Sequence, residues 1–237
     1  MSSGRKFTIK SLFSTGSNSG LTLIECLVAI ALMGLTSAVI APVMVFSVAT
    51  RVQSQRAEQA LQIAQGEVEN VRLMMERGND ISTVLSNYPN PIANPTSTTT
   101  TIAATAGPTS YNTGSNKYEF TSDFQTAKPV NIDDDAEDEF AVQMFRTVGI
   151  GSPPVAFEIG VRVYDIRAFA DTSGSALSTA PASLSLTSGE GERGSQPLAV
   201  IYTDIFKGDR DDALCKYREH LNSTATTSVS MDGINCT

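Results

Sequence analysis

The chain has 237 residues, with 17 Lys+Arg against 25 Asp+Glu, a formal charge of −8 and 41% apolar side chains. This length allows one ordinary domain plus an extra element, and the acid excess excludes the basic footprint that nucleic-acid binding requires. One histidine and three cysteines are too few for a multi-histidine or four-cysteine zinc site, while the apolar fraction supports a packed core.

Charge is unevenly placed. Arg5, Lys6 and Lys10 give the first 20 residues +3, and the other 217 carry 14 basic and 25 acidic side chains. A Ser/Gly-rich stretch, 14–20, leads into 25 consecutive uncharged residues from Cys26 to Thr50. At about 1.5 Å per residue this run covers the roughly 30 Å hydrocarbon core of a bilayer. The flanking positive charges predict a cytoplasmic N-terminus and an extracytoplasmic C-terminal bulk. Glu25 stands at the start of the run. A carboxylate inside a membrane helix costs about 2.5–3.5 kcal/mol on insertion scales, and a plain signal peptide or anchor gains nothing from it. A cut between Gly20 and Leu21 would free an amine four residues away, or on a neighbouring subunit, to pair with that carboxylate.

Ser19-Gly20-Leu21-Thr22-Leu23-Ile24-Glu25, after a short basic leader and before an unbroken apolar run, resembles the type IV prepilin signal. Gly34 and Pro42 match positions where many pilins carry helix-weakening residues, and the resemblance covers residues 21–77. It implies that a membrane prepilin peptidase cuts after Gly20 and methylates Leu21, and that Glu25 recruits the subunit into a filament. The partners it implies are that peptidase, other pilin or pseudopilin subunits and the inner-membrane assembly platform. Two other readings compete. Ser47-Val48-Ala49 is an A-x-A-like cleavage site of a secretory signal, although the run is long for an h-region and contains Glu25. An ordinary single-pass anchor leaves Glu25 unexplained.

The helix is expected to continue through 51–77 with a changed character. Ala57, Leu61, Ala64, Val68, Val71 and Met75 fall in one stripe at spacings of 3 and 4, the pattern of an amphipathic helix packed on a sheet. Gly78-Asn79 supplies the stop. Residues 79–116, with Pro89, Pro91, Pro95, a Thr/Ser tract at 96–101 and Gly107-Pro108, read as a long loop. Four strands follow, at 117–124, 140–148, 155–163 and 198–206, the third alternating as a strand with one wet face. A Ser/Gly/Ala-rich insertion spans 172–195. The expected architecture is α+β: a leader at 1–20, a membrane half at 21–50, an amphipathic half at 51–77, and a head at 78–237. In the head an antiparallel sheet of about four strands lies on the helix stripe, which is the pilin-like arrangement.

The densest acidic run lies just before the second strand. Asn131, Asp133, Asp135 and Glu139 follow the spacing of a calcium loop. Ala136 replaces the turn glycine and Val142 the bidentate acid. The site is read either as calcium-binding or as a solvated acidic loop. Gly189-x-Gly191-x-x-Gly194 has dinucleotide-fingerprint spacing but no βαβ context, and Glu190 and Glu192 stand where phosphates would approach. His220 has no nucleophile signature near it, so no residue argues for an enzyme and no cofactor is implied. Asp209 could cap a short helix with Leu214, Tyr217 and Leu221 on one face. Cys26 lies in the membrane run, where it packs as a small hydrophobe. Cys215 and Cys236 lie in the predicted outer part, where disulfides persist, and are either bridged or two free thiols. Many pilins close a C-terminal loop with such a bridge. The sequence therefore reads as a minor pilin or pseudopilin, processed after Gly20 and assembled through Glu25 into a type IV pilus-like or type II secretion-like filament, for secretion, adhesion or motility. FAVQMFR and PLAVIYTDIF resemble cyanobacterial pseudopilins of polysaccharide secretion and gliding. The competing class is a membrane-tethered binding module, an adhesin or carbohydrate binder, outside any filament.

Overall fold

The computed structural model describes Gly20, 22–77, 81–92, 102–170, 174–182, 194–208 and 213–224. Leader residues 1–19, Leu21, the expected stop Gly78-Asn79, Gly189, Gly191, Asp209 and Cys236 lie outside the described residues. The chain divides into two compact units, Met1–Ala49 and Thr50–Thr237. Helix α1, Leu23–Arg77, runs through that boundary.

In the first unit every side chain from Thr22 to Ala49 is exposed. This part of α1 is long and apolar enough to cross a membrane. Pro42 sits inside it.

The second unit is an α+β arrangement. Its part of α1 buries Ala60, Ala64, Val68, Val71 and Met75, at spacings of 4, 4, 3 and 4. The stripe therefore differs from the expected one: Ala60 replaces Ala57, and Leu61 points away at 43% exposure. A 3.6-residue period counted back from Met75 falls between Ala60 and Leu61, and of the two it is Ala60 that the helix buries. The sheet has the order β1-β2-β3-β4-β5, with β1 Ser110–Tyr111, β2 Thr126–Val130, β3 Phe140–Arg146, β4 Ala156–Asp165 and β5 Ala199–Phe206. Strands β2 to β5 pair antiparallel, and β1 joins β2 in parallel. Helix α2 is Ile81–Ser86 and α3 is Ala213–Thr224.

The stripe of α1 forms one core with Phe140, Val142 and Met144 of β3, Phe157, Ile159, Val161 and Val163 of β4, and Ile205 of β5. Ion pairs fasten the rim: Arg56 to Asp165 at 2.5 Å, and Lys128 to Glu67. Burial raises the pKa of Asp165, and the Arg56 charge opposes that shift.

The expected strand at 117–124 is absent; that segment is turns. Side chains in and beside it bond the local backbone instead, with Asp123 Oδ1 accepting from Gln125 N–H at 2.9 Å and Asn112 Nδ2 donating to Glu119 O at 3.3 Å, a known competitor of strand pairing. The expected wet face of the 155–163 strand is also overturned, since only Glu158 and Asp165 of β4 are even partly exposed. A short 3₁₀ turn, Ile102–Ala104, and the segment after it cover that face. Arg162, fully buried, holds this cover in place. Its guanidinium donates to Ala103 O at 2.8 Å, Thr105 O at 2.8 Å, Gln143 Oε1 at 3.2 Å and Tyr202 Oη at 2.9 Å. It also lies 4.7 Å from the Phe145 ring centre. Gly160 lets that ring lie on the strand, because a Cβ there would sit 2.4 Å from Phe145 Cε2.

Candidate functional site

Thr22 precedes the first turn of α1 and accepts hydrogen bonds there. Its carbonyl takes the N–H groups of Glu25 at 3.0 Å and Cys26 at 3.2 Å, and its Oγ1 takes the Glu25 N–H at 3.4 Å. Thr22-Leu23-Ile24-Glu25 is thus a T-x-x-E capping pattern, with the acid at the positive end of the helix dipole. This corrects the reading that an anchor gains nothing from Glu25: a carboxylate in the first turn is worth about 0.3–1 kcal/mol to the helix. The T-x-x-E spacing is legible in the sequence, where it adjoins the apolar run. Gly20 is exposed, with open space where a Cβ would stand.

The acidic loop joins β2 to β3. Carboxylate oxygens of Asp133, Asp135 and Glu139 lie within 4.8 Å of one another. Asn131 spends its amide on the loop itself: Nδ2 donates to Asp135 O at 2.8 Å and Glu137 O at 2.9 Å, and Oδ1 accepts from Asp134 N–H at 2.6 Å. Asp134 takes the left-handed conformation, φ 60°, which Asp tolerates, whereas Ala136, at the calcium-loop glycine position, has no positive φ. Three crowded carboxylates repel one another, and a hard cation with oxygen ligands would relieve that. Beside the loop a shallow cleft of about 290 Å³ is lined by Glu67, Tyr118, Lys128, Asn131 and Asp134 among others. Tyr118 is 51% exposed, and its hydroxyl is held by Asp138 Oδ1 at 3.1 Å.

At α3 the expected apolar face does not form as read. Leu214 is exposed, and the buried residues are Ala213 and His220. His220, which the sequence left without a role, faces Asp204. The phenol ring of Tyr217 stacks on Phe206 with centres 4.8 Å apart. Cys215 is disulfide-bonded and Cys26 is free and exposed on α1. On β3, Arg146 Nε is buried with no hydrogen-bond partner among the described residues. Burial lowers the pKa of that guanidinium. Nothing in the sequence distinguished Arg146 from a solvent-facing strand residue. No protein-family model matches this chain, and neither does any curated protein or solved structure.

Proposed function

We propose that this chain is a prepilin-like subunit, processed between Gly20 and Leu21 and built into a type IV pilus-like or secretion filament through Glu25. One observation carries the reading. An apolar helix half with every side chain exposed follows a Gly-x-x-x-x-Glu start, and the same helix then buries a stripe in an α+β head. Such a helix must be covered, either by lipid or by the same helix of other subunits. Removing the leader would create the Leu21 amine. Within one helix that amine meets Glu25 only at a frayed first turn; a neighbouring subunit staggered along the filament axis would offer its own amine in a buried setting. Charge neutralisation would then set the register of assembly. The N-terminus would be cytoplasmic and the head extracytoplasmic, with a bridge between Cys215 and Cys236 pinning the C-terminal residues to α3. The acidic loop would hold calcium.

The test is the intact mass of the membrane-extracted protein. Wild type should begin at Leu21 and carry one extra methyl group, and Gly20→Val should retain the leader. A mature chain beginning at Thr50 would establish a secretory signal and end the filament reading. A full-length wild-type chain would favour the tethered binding module.

A further inference from the structure

The five-stranded sheet has two edges, and the sequence treats them differently. At one edge β1 is two residues long and pairs in parallel, and beyond it β2 carries Pro129, which has no N–H to offer. Short strands and prolines are devices that keep an open edge from pairing with another chain. At the other edge stands β5, with the sequence AVIYTDIF. It pairs with β4 along its whole length in one unbroken register, and it contains no proline, glycine or lysine. Its one charged residue is Asp204. An apolar edge of this kind is a template for a further strand.

The ladder pattern determines which backbone groups that edge presents. Thr147 N–H donates to Glu158 O at 2.9 Å, so the even-numbered residues of β4 bond β3 and the odd-numbered ones turn to β5. Lys207 N–H donates to Val155 O at 2.8 Å in the same phase. Ala199, Ile201, Thr203 and Ile205 therefore spend their N–H and C=O groups on β4. Val200, Tyr202, Asp204 and Phe206 point theirs away from the sheet. Among the described residues nothing bonds these four N–H groups. Of the four carbonyls only that of Asp204 is met, by Thr203 Oγ1 at 3.5 Å.

An added strand would extend both faces of the sheet. On the α1 side it would lie beside Ile201 and Thr203, both half-buried, with Ile201 packed against the core. On the opposite side it would meet Tyr202, Asp204 and Phe206, the last 43% exposed. Asp204 stands opposite Glu158 across the β4–β5 pair, and two acids so placed weaken a sheet. A lysine or arginine arriving beside Asp204 relieves that. The longer-range field agrees, because residues 50–237 hold 14 basic and 24 acidic side chains. Such an excess attracts a basic segment and repels a second copy of the same head. We infer that the outer edge of β5 is a strand-addition site for an extended segment of another protein, one whose side chains alternate apolar with basic. Main-chain bonds to Val200, Tyr202, Asp204 and Phe206 supply the affinity, and the apolar face beside Ile201 and the cation beside Asp204 supply the choice of partner. The site lies wholly within the unit Thr50–Thr237, so it does not depend on the filament reading.

The test uses the full chain in nonionic detergent micelles and three synthetic peptides. The first is Lys-Val-Thr-Val-Lys-Val-Thr-Val-Lys, the second has Glu in place of each Lys, and the third is the Lys peptide with every backbone N–H methylated. Hydrogen exchange is read residue by residue by NMR. In the chain alone the amides of Tyr202 and Asp204 should exchange far faster than those of Ile201 and Thr203. The Lys peptide should slow Tyr202 and Asp204, and should bind about two- to tenfold tighter than the Glu peptide, the size of swapped cross-strand charge pairs. The methylated peptide, with the same charge, should leave both amides unchanged. Val200→Pro, which removes only an outward N–H, should weaken the Lys peptide. Tyr202 and Asp204 already protected in the chain alone would mean that its own residues hold the edge, or a second copy if protection rises with concentration, and either result overturns the proposal. So does a Lys peptide that leaves these amides unchanged, or a methylated peptide that slows them equally. Equal binding of the Glu peptide overturns the basic partner. These wild-type readings need no variant to fold.

Discussion

Arg162 shows how one side chain decides what a layer can be. A buried guanidinium whose partners are carbonyls, an amide oxygen, a phenol and two ring faces must satisfy its five donors in a fixed fork, which an ammonium cannot copy. Arg162→Lys should therefore behave nearly as badly as Arg162→Met, and each should cost about 3–5 kcal/mol in denaturant titrations, because several buried acceptors lose their donor. Gly160→Ala should cost about 1–3 kcal/mol through the clash with Phe145, and Phe145→Leu in the same chain should recover part of that loss. The capping by Glu25 and the assembly role proposed for it can be separated. Thr22→Ala should weaken the first turn of α1 by about 1 kcal/mol and leave co-purification with partner subunits intact, whereas Glu25→Val should still be cut after Gly20 and lose it. Unchanged assembly of Glu25→Val would confine Glu25 to capping. For the acidic loop, millimolar calcium should raise the melting temperature by the binding linkage RT ln(1 + [Ca²⁺]/Kd), and Asp133→Asn with Asp135→Asn should abolish the shift.

At the scale of elements, the stripe of α1 carries the head. Val71 is 1% exposed against the sheet, so Val71→Ala should destabilise it by about 2–3 kcal/mol, while Leu61→Ala on the outward side should stay within about 0.5 kcal/mol. Much of this was legible: β3, β4 and β5 fall within a few residues of their apolar runs, because those runs are long and β-branched. The segment 117–124 misled because Tyr118 and Phe120 alternate like a strand while Asp123 and Asn112 hold turns. Strand β2 was missed because it contains Pro129. That residue pairs with Ala141 on one side, and β1 reaches only to Ala127, so the proline sits on a free edge where a missing N–H is tolerated. The cover over the second face left no sequence signal, since carbonyls of a 3₁₀ turn are invisible in the letters. The candidate site was half legible. The acidic spacing places Asp133, Asp135 and Glu139 together, without Asn131, whose amide bonds the loop, whereas no motif links His220 to Asp204, which only the tertiary structure brings together.

At the scale of the whole molecule, the unit Thr50–Thr237 contains every buried core residue among those described. A fragment starting at Thr50 should therefore fold without the apolar segment and unfold in one cooperative transition, measured by circular dichroism against the full chain in micelles. A fragment without cooperative melting would mean that the head depends on the first 49 residues.

The order in which the elements leave the ribosome adds a constraint of its own. The strands are neighbours in space in the same sequence in which they are made, so each can pair as soon as it emerges. The helix stripe that must cover them is made first. Met75 precedes the end of β5 at Phe206 by 131 residues, on the order of ten seconds of synthesis at typical elongation rates. For that interval Ala60, Ala64, Val68, Val71 and Met75 have no completed sheet to rest on. An apolar segment already captured by a membrane would tether this naked stripe at a surface instead of leaving it to diffuse and aggregate. Slowing translation between residues 78 and 140 should therefore raise the yield of misfolded head far more when the segment 23–49 is deleted than when it is kept.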